Sequence, residues 1–253
     1  MATNIEPLLN DFATRCFRDP ADGDYVCARL AYRAKQVEQF HWLALQAIEK
    51  YLKAILLYNR IKATNVGHSL HKAMRKTTEL PFKLKLSDST RQLIDHLEQV
   101  GAYRYLEKSY FIHGPKLVQL DKAVWEIRRY CKVLDYEIDL GPKGKVHALR
   151  LEIEKIDRAA DAAPQAFKLM GGALEKILAK RDHPSRAPLV WQNLYYGARR
   201  RQRVRMWMHD EGKNSPLFLH PELLGVIETY VKIPNPLLEA YKSLHLQGGD
   251  PAA

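Results

Sequence analysis

The chain has 253 residues, 46% hydrophobic and 27% charged, with 40 Lys+Arg against 29 Asp+Glu and a formal charge of +11. That composition supports a buried core without staples, and no run approaches the roughly 20 apolar residues that span a bilayer. Three scattered cysteines, Cys16, Cys27 and Cys131, argue against a disulfide framework and for a reducing, cytoplasmic compartment.

The start of the chain, with Ile5, Leu8, Leu9 and then Asp11, has neither a basic opening nor an apolar stretch, so no secretory signal is expected. Residues 1–144 carry 23 basic against 17 acidic side chains and residues 145–253 carry the remaining 17 against 12. The excess is spread along the chain, and its sign favours an anionic partner.

Four long helical patterns are readable in the first half. One runs over about 22–59. Phe40, Ala44, Ala47, Tyr51, Ala54 and Tyr58 recur at steps of three and four, and Leu45, Ile48, Leu52 and Leu56 form a second stripe. Two stripes predict a helix buried on more than one side, with Gln39, Gln46, Lys50, Lys53 and Arg60 as its polar edge. Gly67-His68-Ser69-Leu70 opens a short helix to about Thr77, closed by Leu80-Pro81.

Leu86-Ser87-Asp88-Ser89-Thr90 supplies side-chain acceptors for a helix start. That helix carries Leu93, Leu97, Val100 and Arg104, and Gly114-Pro115 stops it. Leu120, Val124, Ile127, Cys131, Leu134 and Ile138 then predict a helix to about residue 138, with Cys131 a small core residue.

Gly141-Pro142-Lys143-Gly144 is the strongest punctuation, so a boundary is placed there, giving regions 1–140 and 145–253. Beyond it, Leu149, Ile153, Ile156, Ala160 and Ala163 predict a helix ended by Pro164, and another is expected near 165–180. Residues 189–208 read as helical or mixed, 212–216 as a turn, 221–232 as a short helix, and 233–236 as a break. The tail after Gln247 reads as unstructured. No repeat and no β-alternation stands out. The fold class expected is all-α.

Several residues carry a resemblance. Ala47-Ile48-Glu49-Lys50-Tyr51-Leu52-Lys53-Ala54-Ile55-Leu56 is similar to the signature helix of HEPN domains. Gly67-His68-Ser69-Leu70 resembles the family's His-x-Leu segment, Gly101-Ala102-Tyr103-Arg104-Tyr105 its Arg-Tyr, and the stripe from Leu120 to Ile138 its last helix. The resemblance covers about residues 20–140. It implies an antiparallel four- or five-helix bundle, often a homodimer, here with a C-terminal helical extension. It also implies either nucleotide or RNA binding or a metal-independent endoribonuclease of toxin or phage-defence type. Glu49, Lys50, Lys53, Arg104 and Tyr105 would line the ligand cleft, and Arg104 with His113 would form the catalytic pair of a ribonuclease.

The ribonuclease motif spaces Arg and His by four to six residues. Arg91 and His96, with four between, and Arg203 and His209, with five, satisfy it, and chance supplies about that many in a chain so rich in both. Arg104 and His113 have eight residues between them, more than the motif allows. Arg104 shares a face with Leu97 and Val100. It reads either as an internal ion pair, with Glu49 as partner, or as a phosphate-binding arginine. Glu49 and Lys53 read equally as an ordinary i,i+4 pair.

The segment from Tyr195 to Trp207 places Arg199, Arg200, Arg201, Arg203 and Arg205 between aromatics. Arginines neutralise phosphates and aromatics stack on bases, so this is the strongest nucleic-acid patch in the chain; as a solvated face it would serve no ligand. No ligand spacing for a metal and no glycine-rich phosphate loop is present, so no metal or cofactor is expected. A helical protein–protein scaffold, its basic patch meeting an acidic partner, is the third reading. No membrane partner is expected.

Overall fold

The computed structural model describes residues 5–100, 110–132, 134, 136–139, 141–197, 203–205, 208, 210–233 and 235–246. Most of them are helical. The helices are α1 (Glu6–Phe12), α2 (Asp19–Arg33), α3 (Val37–Tyr58), α4 (Leu70–Lys76) and α5 (Asp88–Val100), then α6 (Lys116–Arg128), α7 (Ala148–Ala160) and α8 (Ala173–Ala179). The series ends with α9 (Arg186–Val190), α10 (Pro216–Leu219), α11 (Leu224–Ile227) and α12 (Asn235–Leu246). A π-helical stretch, Ala13–Arg18, joins α1 to α2.

Helix α3 is the centre. Every residue of its two predicted stripes is buried, and it packs against α2, α4, α5 and α6. The single long helix expected over 22–59 is instead two. Lys35 adopts φ +58°, Gln36 N–H reaches Ala31 O at 2.8 Å, and Lys35 N–H reaches Tyr32 O at 3.0 Å. This is a Schellman stop built on lysine instead of glycine, so the sequence carries no mark of it. The same device ends α3 at Arg60, φ +59°, with Ile61 N–H on Leu56 O.

Ser69 caps α4, its side chain accepting from Lys72 N–H. Ser87 Oγ accepts from Thr90 N–H at the head of α5, as expected from the local residues.

Helix α6 ends at Arg128, well short of the expected residue 138. Tyr130 and Cys131 fold back in a turn, and Ile138 lies in a strand. That strand, β2 (Glu137–Asp139), pairs antiparallel with β3 (Lys145–His147) across the glycine-proline segment, where Gly141 and Gly144 both take positive φ. The strongest punctuation is therefore the turn of a small hairpin. A second pairing joins β1 (Tyr110–Ile112) to β4 (Glu211–Lys213), where a turn was expected. Three-residue strands show no usable alternation, which is why the sequence concealed them.

The helix near 165–180 is reduced to α8. Residues 221–232 hold a 3-10 turn and α11, and α12 begins at Asn235, inside the expected break at 233–236. The tail after Gln247 lies outside the described residues.

One hydrophobic core runs through α2–α6 and continues into Ile156, Leu174, Leu189 and Tyr196. A smaller cluster of Leu217, Ile233 and Tyr241 forms apart from it. Among the described residues no helix is long and apolar enough to cross a membrane.

Candidate nucleic-acid interface

Buried charges fasten residues 165–196 to the bundle. Arg128 donates to both carboxylate oxygens of Asp22, at 2.6 and 2.8 Å, and to Glu175 at 2.9 and 2.7 Å. Tyr51 OH and Leu174 N–H also donate to Asp22. Alongside, Arg29 pairs with Asp121 and donates to the Pro188 and Trp191 carbonyls, while Tyr25 OH donates to Asp121 at 2.7 Å. Burial pulls the Arg128 pKa down, but Asp22 and Glu175 outweigh it and hold the pKa well above the ordinary value.

Asn193 carries this framework to the surface. It is buried, and its Nδ2 donates to Leu189 O and Tyr25 OH, each at 2.9 Å. Its Oδ1 accepts from the N–H groups of Tyr195 and Tyr196 at 2.9 and 3.0 Å. Both tyrosines are thereby fixed. Tyr196 packs by Tyr25, and Tyr195 tilts on Trp125 with centroids 5.7 Å apart. Burial raises both phenols, Tyr195 to about 12 and Tyr196 further, so both are neutral hydrogen-bonding groups at neutral pH.

The arginine run begins three residues after Tyr196. Arg203 and Arg205 are exposed, and Arg205 N–H bonds Gln192 Oε1 at 3.1 Å. Arg199, Arg200 and Arg201 lie outside the described residues, as do Arg104, Tyr105 and His209.

Glu49, Lys53 and His68 do come together. Buried Glu49 accepts from Lys53 Nζ at 2.6 Å, and His68 Nδ1 stands 3.2 Å from both Glu49 oxygens. Lys50 turns instead to Asp24 of α2. Each lysine ammonium of the expected cleft thus already has a carboxylate. His113, just after β1, pairs with Asp210, just before β4.

Sequence reasoning missed a histidine pair. His41 of α3 and His96 of α5 meet with Nε2 atoms 3.0 Å apart and rings edge to face. The Val37 carbonyl accepts only, so His41 Nδ1 carries the hydrogen toward it at 2.7 Å. His41 Nε2 is then a bare acceptor, and His96 Nε2–H is the donor. Burial lowers His41 to about 4 and His96 to about 3, with Lys116 adding to both and His41 further lowering His96. Both rings are neutral near pH 7. The only trace in the sequence is that His41 falls one residue after Phe40 of the apolar stripe.

Among the described residues no group of three or more His, Cys, Asp or Glu side chains is placed to hold a metal ion. No protein-family model, curated protein or solved structure matches the chain.

Proposed function

We propose that this protein binds RNA or nucleotides, with the arginine run from Arg199 to Arg205 as its phosphate-contacting surface. The observation that carries the reading is the anchoring of Tyr195 and Tyr196 by buried Asn193, directly ahead of that run. Tyr196 is buried and Tyr195 half-buried, so Tyr195 is the ring left to stack; on a fixed backbone it loses little conformational freedom in doing so, and the arginines add counterion release. The excess charge of +11 agrees in sign.

The same reading treats α2–α6 as a HEPN-like bundle in a cytoplasmic, homodimeric protein, supported by the order of motifs on α3, at the head of α4 and after α5. Arg104 and Tyr105 belong to it as ligand contacts, with Glu49, Lys50 and Lys53 orienting the cleft from their ion pairs.

A second reading is favoured by the His113–Asp210 pair. A carboxylate on one ring nitrogen orients an imidazole for acid–base work, as a metal-independent endoribonuclease would need, with Arg104 stabilising charge on phosphorus. The test is end-labelled single-stranded RNA incubated with the protein in EDTA at two salt concentrations. A low-salt shift without cleavage supports the binder. Cleavage lost in His113→Ala but kept in His209→Ala supports the nuclease. The absence of both shift and cleavage removes RNA from both readings and leaves a small nucleotide or the protein–protein scaffold.

A further inference from the structure

We infer that the cavity formed by Gln165, Phe167, Lys168, Glu175, Tyr195 and Tyr196 is a binding site for one nucleobase with its ribose phosphate. The inference rests on the proposed RNA or nucleotide binding and states where the base goes. The cavity holds about 330 Å³, at the small end of the roughly 300–1,000 Å³ typical of ligand sites. That suits a single base and its sugar better than a dinucleotide.

Three of the nine residues that line it are aromatic, and the backbones of two of these, Tyr195 and Tyr196, are held by Asn193. Flat, rigid π-faces are what a base stacks on. Glu175 is committed to Arg128, which offsets its charge.

Gln165 supplies the specific feature. Its Nε2 donates to the Leu194 carbonyl, which can only accept, so the orientation of the amide is settled. Its Oε1 is then an acceptor, and it is buried with no partner. A buried acceptor left unmatched costs about 1–3 kcal/mol. Each nucleobase carries ring or exocyclic N–H groups on its edge that would satisfy it. Lys168 is exposed and offers an ammonium to the attached phosphate. The chain leaves the cavity at Gly197, two residues in sequence before the first arginine of the run.

The base can come from a free mononucleotide or from a single-stranded RNA. Calorimetric titration of the full chain with AMP, CMP, GMP and UMP addresses the first source, and fluorescence anisotropy with short single-stranded RNA the second. Gln165→Met is expected to weaken binding about fivefold, the size of one neutral hydrogen bond, and Tyr195→Ala about tenfold. Lys168→Glu, on an exposed side chain that leaves the core untouched, is expected to weaken it without moving the melting temperature. Mononucleotide binding weakened in these variants identifies the free nucleotide. RNA binding alone, weakened by the same variants, identifies a base of the strand. RNA binding that all three variants retain in full overturns the cavity site and leaves the arginine surface standing. No binding of either probe by the unmodified protein overturns both.

Discussion

Arg128 of α6 lays the Nε–Nη2 edge of its guanidinium on both carboxylate oxygens of Asp22 of α2, and seven residues along each helix Arg29 and Asp121 repeat the pairing with the charges exchanged. Seven residues are close to two helical turns, so each helix presents one acid and one base on a single face. The pairing order is that of antiparallel helices. All four side chains are buried.

Removing one partner of such a pair strands a buried charge, at a cost of about 3–5 kcal/mol. Arg128→Met is therefore expected to lower unfolding stability by that order, measured by urea denaturation. The Leu174 amide, which donates to Asp22 at 3.3 Å, should exchange faster, because Arg128 also holds Glu175. Unchanged stability would mean that the network contributes nothing.

Gly172 sits where this network is tightest. An added Cβ would overlap Glu175 Oε2 and Arg128 Nη2. Both are side-chain ends, but they hold each other in place. Gly172→Ala is expected to destabilise by about 1–3 kcal/mol, as overpacking does. Gly23, whose Cβ would meet nothing within 4 Å, is the control: Gly23→Ala, in the helical α2, should be neutral or stabilising.

The histidine pair sets a pH dependence. Both folded pKa values lie below the ordinary value near 6.5, His41 at about 4 and His96 at about 3. Above pH 6.5 neither the folded nor the unfolded chain protonates these rings, and their contribution is fully present. As the pH falls through 6.5 the unfolded chain takes up protons first, so stability declines toward the folded values. For His41, the more buried ring, the loss is on the order of 3 kcal/mol. Urea unfolding at pH 7 and pH 5 should show it, and His41→Gln should flatten the slope. A slope unchanged in that variant would assign the effect to other groups.

The cysteines should separate cleanly. Cys16 and Cys27 are exposed and Cys131 is buried, where burial pushes its thiol well above the ordinary range. An aromatic disulfide reagent is expected to titrate two thiols in the folded protein and the third only on unfolding. Reaction of all three at one rate would show that the turn after α6 opens readily.

The fold was legible where spacing determined burial and illegible where backbone geometry did. Leu45, Ile48, Tyr51 and Leu52 sit in the core as their period requires. The stop at Lys35 was hidden because a left-handed lysine looks like any other lysine. Ile138 kept helical spacing from Cys131 although the chain had already turned into a strand. At the candidate site, the arginine run and its flanking tyrosines were legible from composition. Asn193 and Gln165 were not, because a single amide reveals its role only through the partners that the fold brings to it. Asp22 and Arg128 were invisible for the same reason, being 106 residues apart.

The proposed function rests on exposed arginines after Tyr196 contacting nucleic-acid phosphates. The measurement that tests it most directly is the affinity for single-stranded RNA across a salt series, for the unmodified protein and for Arg203→Gln/Arg205→Gln. Affinity is expected to fall steeply with salt and the slope to decrease by about 1.4 in the double variant, near 0.7 for each lost phosphate contact. Binding that ignores salt, or a slope identical in the two proteins, would contradict it.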